Sequence, residues 1–223
     1  MNIERMTRDR RATRHAALAD VARLAVVDEL ALGDRSPSEL QAIIGLPSNL
    51  MAHHLKVLED VGMVARRRSE GDRRRTYLTL VDTALIDSAP SEEVAVGRVV
   101  FVCSANSARS QLAAALWTRT SDVPVASAGT HPARQIAAGA KAVADRRSLK
   151  LVAAAPQPFG AIVSSRDFVV AVCDSAYEEL GPAVSLHWSI PDPVTQGSDI
   201  AFDQAYAELD RRVTTLAPRL IAS

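Results

Sequence analysis

The sequence lacks the usual features of a secreted or membrane protein. It has two cysteines in 223 residues, so a disulfide framework is excluded and a reducing compartment, the cytoplasm, is expected. It has no run of about eighteen apolar residues, so no membrane span is expected. The basic first residues lack the apolar core of a signal peptide. The formal net charge is zero, so any attraction for a charged partner must come from local patches.

The charge that is present is unevenly distributed. Residues 1–80 carry 14 lysines and arginines against 11 acids, whereas residues 81–223 carry 12 against 15. The basic excess hints that the amino-terminal part meets a nucleic acid. A mixed acidic and proline-containing stretch lies around Pro90. We therefore predict two domains, over residues 1–82 and 97–223, joined by a linker over residues 83–96.

The stretch from Gly97 to Trp117 organises the second domain. β-Branched and aromatic residues run up to Cys103, a pattern typical of a buried parallel strand. Small and polar residues follow, and after Arg109 apolar residues recur at helical spacing. This order predicts a strand, a tight loop and a helix, with five residues between the cysteine and the arginine.

Such a loop has a definite chemistry. Backbone N–H groups at the start of a helix bind a tetrahedral anion, and the guanidinium of Arg109 can grip two of its oxygens. The same positive field favours a thiolate at Cys103, which makes it the predicted nucleophile. Ser110 can hydrogen-bond this sulfur. The predicted anion-binding loop comprises Ser104, Ala105, Asn106, Ser107, Ala108 and Ser110.

The motif from Cys103 to Ser110 resembles the low-molecular-weight tyrosine phosphatase family, and within it the arsenate reductases of the same fold. Gln111, and the segments 127–130 and 187–193, are similar to the arsenate reductase branch. The resemblance covers residues 97 to 220 and implies that Asp192 protonates a departing oxygen. The prolines on either side of Asp192 also indicate a fixed loop.

Cys173 has two interpretations. It is a packed core thiol, or it is a resolving thiol that attacks an arsenylated Cys103. The thioredoxin-coupled reductases use a third cysteine, and Leu180 stands about where it would be. The resemblance implies no tightly bound cofactor and no metal, but an external thiol reductant: mycothiol, glutathione with glutaredoxin, or thioredoxin.

The rest of the second domain alternates strands with helices. This alternation predicts an α/β fold with a doubly wound parallel sheet and the site at the carboxyl ends of its strands. The predicted strands cover residues 123–127, 167–173 and 184–187, and the predicted helices cover 133–147, 176–180 and 200–216.

The first domain is predicted to be an α+β winged helix-turn-helix. A helix over 16–32 precedes a second helix that Ser36 and Glu39 begin with a capping box. A third helix over 49–60 is followed by strands over 64–68 and 73–80 around a turn. Two short helices joined by a tight turn present the second to the DNA major groove.

The hairpin carries six arginines against Glu70 and Asp72 within ten residues, a balance suited to phosphates. The segment over residues 10 to 82 resembles the ArsR/SmtB repressors, which implies a homodimer on a DNA operator. The cysteine-containing metal site of that family has no counterpart over residues 38–44, so no metal ligand is assigned. The predicted DNA contacts are Ser48, Asn49, His53, Lys56, Arg66, Arg67, Arg68, Arg73, Arg74 and Arg75.

These features predict a cytoplasmic DNA-binding regulator fused to an arsenate reductase-like domain that takes an oxyanion, arsenate or phosphate. Three alternatives stay open. The second domain is a protein-tyrosine phosphatase, or it is a non-catalytic oxyanion or redox sensor that controls the repressor domain, or the first domain serves only in dimerisation.

Overall fold

The structure, a computed structural model, describes residues 8–81 and 93–223. These residues form two compact units. The first contains residues up to 68 together with 74–81, and the second contains residues 69–73 and 93–223. In both described ranges, no helix is long and apolar enough to cross a bilayer.

Four helices build the first unit: α1 (Arg8–Leu18), α2 (Val21–Leu32), α3 (Pro37–Ile44) and α4 (Ser48–Asp60). The single helix predicted over 16–32 is wrong, because the side chain of Asp20 accepts the Arg23 N–H at 3.0 Å and starts a new helix there. The capping box at the start of α3 is confirmed. Ser36 Oγ accepts the Glu39 N–H at 3.2 Å, and the Glu39 carboxylate accepts the Ser36 N–H at 2.6 Å.

A hairpin completes the first unit. Strands β1 (Val64–Arg68) and β2 (Thr76–Leu80) pair antiparallel, and Arg35 extends the hairpin through two backbone hydrogen bonds to Leu78. Helices and hairpin share an apolar core that includes Val27, Leu40, Leu55, Leu58 and Leu78, each fully buried. This unit is therefore a winged helix-turn-helix, as the sequence predicts.

A four-stranded parallel sheet forms the centre of the second unit, in the order β5-β4-β6-β7. Its strands are β4 (Val99–Cys103), β5 (Val125–Gly129), β6 (Phe168–Ala171) and β7 (Leu186–His187). A separate parallel pair joins β3 (Val94–Val96) to β8 (Leu220–Ala222). The last part of the segment predicted as a linker is thus a strand, while residues 83–92 of that segment lie outside the described residues.

Six helices surround this sheet: α5 (Arg109–Thr120), α6 (Ala138–Arg146), α7 (Phe159–Ile162), α8 (Asp174–Leu180), α9 (Pro193–Gln196) and α10 (Asp199–Leu216). Three predicted elements of this unit are shorter than expected, and one of them, the strand predicted over 184–187, covers only Leu186–His187. The helix predicted from residue 133 begins only at Ala138, because the amides of Ala133 and Ala137 donate to carbonyls of the loop that follows Cys103. The strand predicted through Cys173 ends at Ala171, because Cys173 caps α8.

Candidate active site

Cys103 is the last residue of β4 and the first residue of the loop that leads to α5. Its side chain is almost fully buried. The Asn106 N–H donates to its sulfur at 3.2 Å, and Ser110 Oγ lies 3.1 Å from the same atom. Each of these two groups can donate a hydrogen bond to the sulfur.

The backbone of the loop is oriented by bonds to the segment that follows β5. The carbonyls of Cys103 and Ser104 accept from the amides of Thr130 and His131, and those of Ala105 and Ser107 accept from Ala133 and Ala137, at 2.8 to 3.2 Å. A trans peptide places the next N–H opposite its carbonyl. The loop amides therefore point away from this segment, as an anion cradle requires.

Asn106 fixes the turn of the loop. It is fully buried and left-handed, with φ of 48°, a conformation that asparagine tolerates better than most residues. Its side-chain amide donates to Ser110 Oγ at 2.8 Å, which leaves the Ser110 hydroxyl proton available to the Cys103 sulfur. Its side-chain oxygen accepts from the Gln157 backbone at 2.8 Å and from Gln111 Nε2 at 3.1 Å.

Gly129 lies against the loop at the end of β5. A Cβ at this position would stand 2.6 Å from the Ser104 carbonyl oxygen and 2.9 Å from the Asn106 nitrogen. Both neighbours are backbone atoms of the loop, so a larger residue could be accommodated only if the loop moved. The loop therefore depends on a glycine outside the motif.

Arg109 is the first residue of α5, and its guanidinium is buried. It donates to the Ile190 carbonyl at 2.8 Å and forms ion pairs with Asp192 at 3.2 Å and with Glu70 at 3.3 Å. Burial by itself would lower the pKa of Arg109, but its acidic neighbours outweigh that effect and raise it. The acidic groups responsible are Cys173, Cys103, Asp192 and Glu70.

Asp192 caps the short helix α9. Its carboxylate accepts the Val194 N–H at 3.1 Å and the Thr195 hydroxyl at 3.3 Å, and pairs with Arg109. The structure therefore brings Cys103, Arg109 and Asp192 together at one end of the sheet.

Cys173 also lies at this site. Its buried sulfur is 3.6 Å from Ser104 Oγ and accepts the Ala176 N–H at 3.5 Å. Burial raises the pKa of the Cys173 thiol, and Arg109 opposes that rise only in part. The electrostatic effect of Cys103 adds to the rise in the pKa of Cys173. Both thiols are free, so a second reducing group stands beside the loop.

The predicted DNA contacts of the first unit lie on α4 and on the hairpin. The side chains predicted on α4 are exposed, and their spacing places them on one face of the helix. All six arginines of the hairpin region are exposed as well. Arg66 pairs with Glu59 at 2.6 Å and Lys56 with Asp60 at 3.1 Å, contacts that phosphates could replace at little cost.

Sequence reasoning missed several residues of the site. Glu70 counted only as a charge in a turn, Asp174 and Gln157 carried no motif, and His187 was part of the segment 187–193 but was given no role. His187 Nε2 lies 3.0 Å from an Asp174 carboxylate oxygen, and its ring stacks on Tyr177 at 4.1 Å. Burial would raise the pKa of Asp174, but hydrogen bonds from His187 and from the Glu70 backbone lower it overall.

The described part of the chain contains no group of three or more histidines, cysteines or acids that could hold a metal ion. Its fold and its loop define the class of protein. A helix-turn-helix unit of the DNA-binding type is followed by an α/β unit with a cysteine at the base of a strand-to-helix loop.

The chain belongs to the low molecular weight phosphotyrosine protein phosphatase family, whose profile matches residues 98–223. A second profile, described as a helix-turn-helix domain, matches residues 18–67. No curated protein matches the chain.

Several solved structures are similar to parts of the chain. An arsenate reductase from Archaeoglobus fulgidus is 25% identical, with a TM-score of 0.46 over 54% of this chain and 98% of that one. The tyrosine phosphatase Wzb from Escherichia coli is 23% identical, with a TM-score of 0.49 over 55% and 97%. HlyU from Vibrio cholerae is 24% identical, with a TM-score of 0.31 over 34% and 78%.

Proposed function

We propose that the protein is a DNA-binding regulator whose second unit reduces arsenate to arsenite. One observation carries this proposal: a second thiol, Cys173, lies against the loop that begins with Cys103. Hydrolysis of a phosphate ester needs one nucleophilic thiol, whereas reduction of arsenate needs two, since two electrons must leave sulfur.

The proposed reaction balances with these two thiols. The Cys103 thiolate attacks arsenic, a Cys103–arsenic bond forms, and a protonated oxygen leaves as water. Asp192 is placed to supply that proton, and Arg109 with the loop amides holds the remaining oxygens. The Cys173 sulfur then attacks the Cys103 sulfur and loses its proton. The electron pair of the sulfur–arsenic bond moves to arsenic, which leaves as arsenite, and a disulfide remains.

The enzyme must then be reduced again by an external thiol: thioredoxin, mycothiol, or glutathione with glutaredoxin. Burial raises the pKa of Cys173, so its thiol must lose a proton as it attacks the Cys103 sulfur. If an external thiol instead attacks Cys103 directly, Cys173 is dispensable and a mixed disulfide forms at Cys103.

Phosphatase activity is the second candidate, and the match to the phosphatase family supports it. A phosphorylated Cys103 would be cleared by water rather than by a thiol. The loop geometry serves both reactions equally, so the substrates have to be compared directly.

The test is turnover of arsenate and of para-nitrophenyl phosphate by the same preparation, with each of the three thiol systems. We expect arsenite release to exceed phosphate ester hydrolysis, and Cys103→Ser to abolish both. Ser121, which caps the carboxyl end of α5, offers a matched control, and Ser121→Ala should leave both rates unchanged. Ester hydrolysis without arsenite release would favour the phosphatase, and neither activity would favour a sensor.

For the first unit we propose that a homodimer binds an operator through α4 and the hairpin. The exposed arginines and the exposed face of α4 support this proposal. Light scattering of the purified chain, alone and with duplex DNA, tests it. A monomer in both conditions would contradict the dimer, and a dimer that binds no DNA would favour the dimerisation module.

A further inference from the structure

An acidic turn of the second unit reaches the candidate active site. Both carboxylate oxygens of Glu70 accept the backbone N–H of Asp192, at 3.1 and 3.2 Å. One of them also lies 3.3 Å from the guanidinium of Arg109. The Glu70 carboxylate therefore accepts from two donors of the candidate site, the Asp192 N–H and the Arg109 guanidinium.

This placement is held by several contacts rather than by one ion pair. The Glu70 N–H donates to Asp174 at 2.9 Å, and Ser69 Oγ donates to Glu178 at 2.7 Å. The Asp72 N–H donates to the other oxygen of Glu178, also at 2.7 Å. Ser69 is 2% exposed. The turn is thus held on α8 through the side chains of Asp174 and Glu178.

Gly71 shows how closely the turn is seated. A Cβ at Gly71 would lie 2.5 Å from Glu178 Oε2 and 3.1 Å from Ser175 Cα. The nearer atom belongs to a side chain that itself holds the turn, and the other belongs to the backbone of α8. The turn and α8 are therefore in direct van der Waals contact.

A carboxylate and an oxyanion compete for the same donors. The guanidinium of Arg109 already faces Glu70 and Asp192, so an incoming oxyanion meets two negative charges at its main cationic partner. Like charges at this distance repel each other. Glu70 is 44% exposed, so it can swing into solvent when an anion takes its place.

We propose that Glu70 is an internal anion that competes with oxyanions for Arg109, and that an oxyanion bound in the loop releases the turn. This inference rests on the proposed function only in that the loop takes an oxyanion.

The test measures binding of inorganic phosphate, which needs no turnover, to the full chain by calorimetry. Glu70→Gln should bind phosphate about tenfold more tightly, since the competing charge is lost. Glu178→Gln, which loosens the turn but keeps Glu70, should tighten binding about threefold. Glu179→Gln is the matched control, because Glu179 pairs with His131, and it should bind like the wild type.

A second measurement is hydrogen exchange at the Glu70 and Asp72 amides of the wild-type protein. Saturating phosphate should accelerate exchange at both, because both amides donate to α8 in the seated turn. Unchanged exchange, or equal phosphate affinities in wild type and Glu70→Gln, would overturn the inference.

The two proposals fail in different ways. Tighter phosphate binding by Glu70→Gln without arsenite release by any variant would leave the internal anion standing and contradict the reductase. Arsenite release, together with equal phosphate affinities of the wild type and Glu70→Gln, would support the reductase and contradict the internal anion. Absence of phosphate binding in every variant would contradict both.

Discussion

The loop after Cys103 and the hairpin of the first unit are both predicted anion-binding segments, but they are built differently. In the loop, buried side chains are tied to one another, as in the Asn106–Ser110 bond at 2.8 Å. In the hairpin, the arginines are exposed and the visible pairs are peripheral. The loop is therefore preorganised for one tetrahedral ion, whereas the hairpin offers charge to a long polyanion.

The largest effect that tests this difference is expected in the hairpin. Replacement of Arg73, Arg74 and Arg75 by alanine should weaken DNA binding about a hundredfold at 0.1 M salt, if each arginine neutralises one phosphate. The salt slope should fall by about three, similarly for all duplex sequences, in fluorescence anisotropy titrations. Arg134→Ala and Arg166→Ala, which change charges of the second unit, are matched controls, and an unchanged slope would refute the assignment.

The next effect is expected at Gly129. Gly129→Ala places a Cβ against two backbone atoms of the loop, so the loop must shift and turnover should fall about thirtyfold, whichever substrate the enzyme uses. Gly160→Ala is the matched control, since a Cβ there meets nothing within 4 Å. If Gly129→Ala keeps full activity, the loop is not preorganised in the way described.

The Cys103 loop and the hairpin also differ in how much of each could be predicted from the sequence. The Cys103 loop could be predicted from its motif, because the buried side chains of Asn106 and Ser110 bond to each other and Ser110 contacts the Cys103 sulfur. The hairpin could be predicted as a charged element, but a charge pattern does not specify the partner of each arginine. Asp20 shows a third case, in which a capping side chain split a helix whose apolar periodicity runs on unbroken.

Contacts between segments distant in the chain were beyond the sequence. Glu70 lies 39 residues from Arg109, and no spacing rule connects a hairpin turn to a loop after a strand. The same holds for Gly129, which is constrained by the backbone of another segment. The position of Cys173 beside the loop could be expected only from the resemblance, since its own neighbours are those of a core strand.

The smallest effect is expected on the free energy of unfolding. It is measured by removing one ion pair from each unit, that of Glu208 in the second and that of Glu59 in the first. Burial would raise the pKa of Glu208, but hydrogen bonds and charges from Arg211 and Arg212 lower it to about 2. The charged Glu208 therefore stabilises the folded protein at pH values above 4.5, its pKa in the unfolded chain, and this stabilisation is lost as the pH falls toward 2.

Glu208→Gln should cost about 1–3 kcal/mol of unfolding free energy at pH 7, and the difference from wild type should vanish near pH 2. Glu59→Gln removes the partner of Arg66, which is 42% exposed, whereas Arg212 beside Glu208 is 6% exposed. The Glu59 variant should therefore cost less than about 0.5 kcal/mol. Chemical unfolding at both pH values measures this, and equal costs for the two variants would show that burial of the arginine partner does not separate the two ion pairs.

We propose that two thiols act at one loop, and a single turnover can show whether both take part. Fully reduced protein is mixed with arsenate in the absence of any external thiol, arsenite is quantified, and the cysteines are mapped by mass spectrometry. We expect about one arsenite per chain together with a Cys103–Cys173 disulfide, and neither product in Cys173→Ser. Release of no arsenite by the wild type, with both thiols still free, would contradict it.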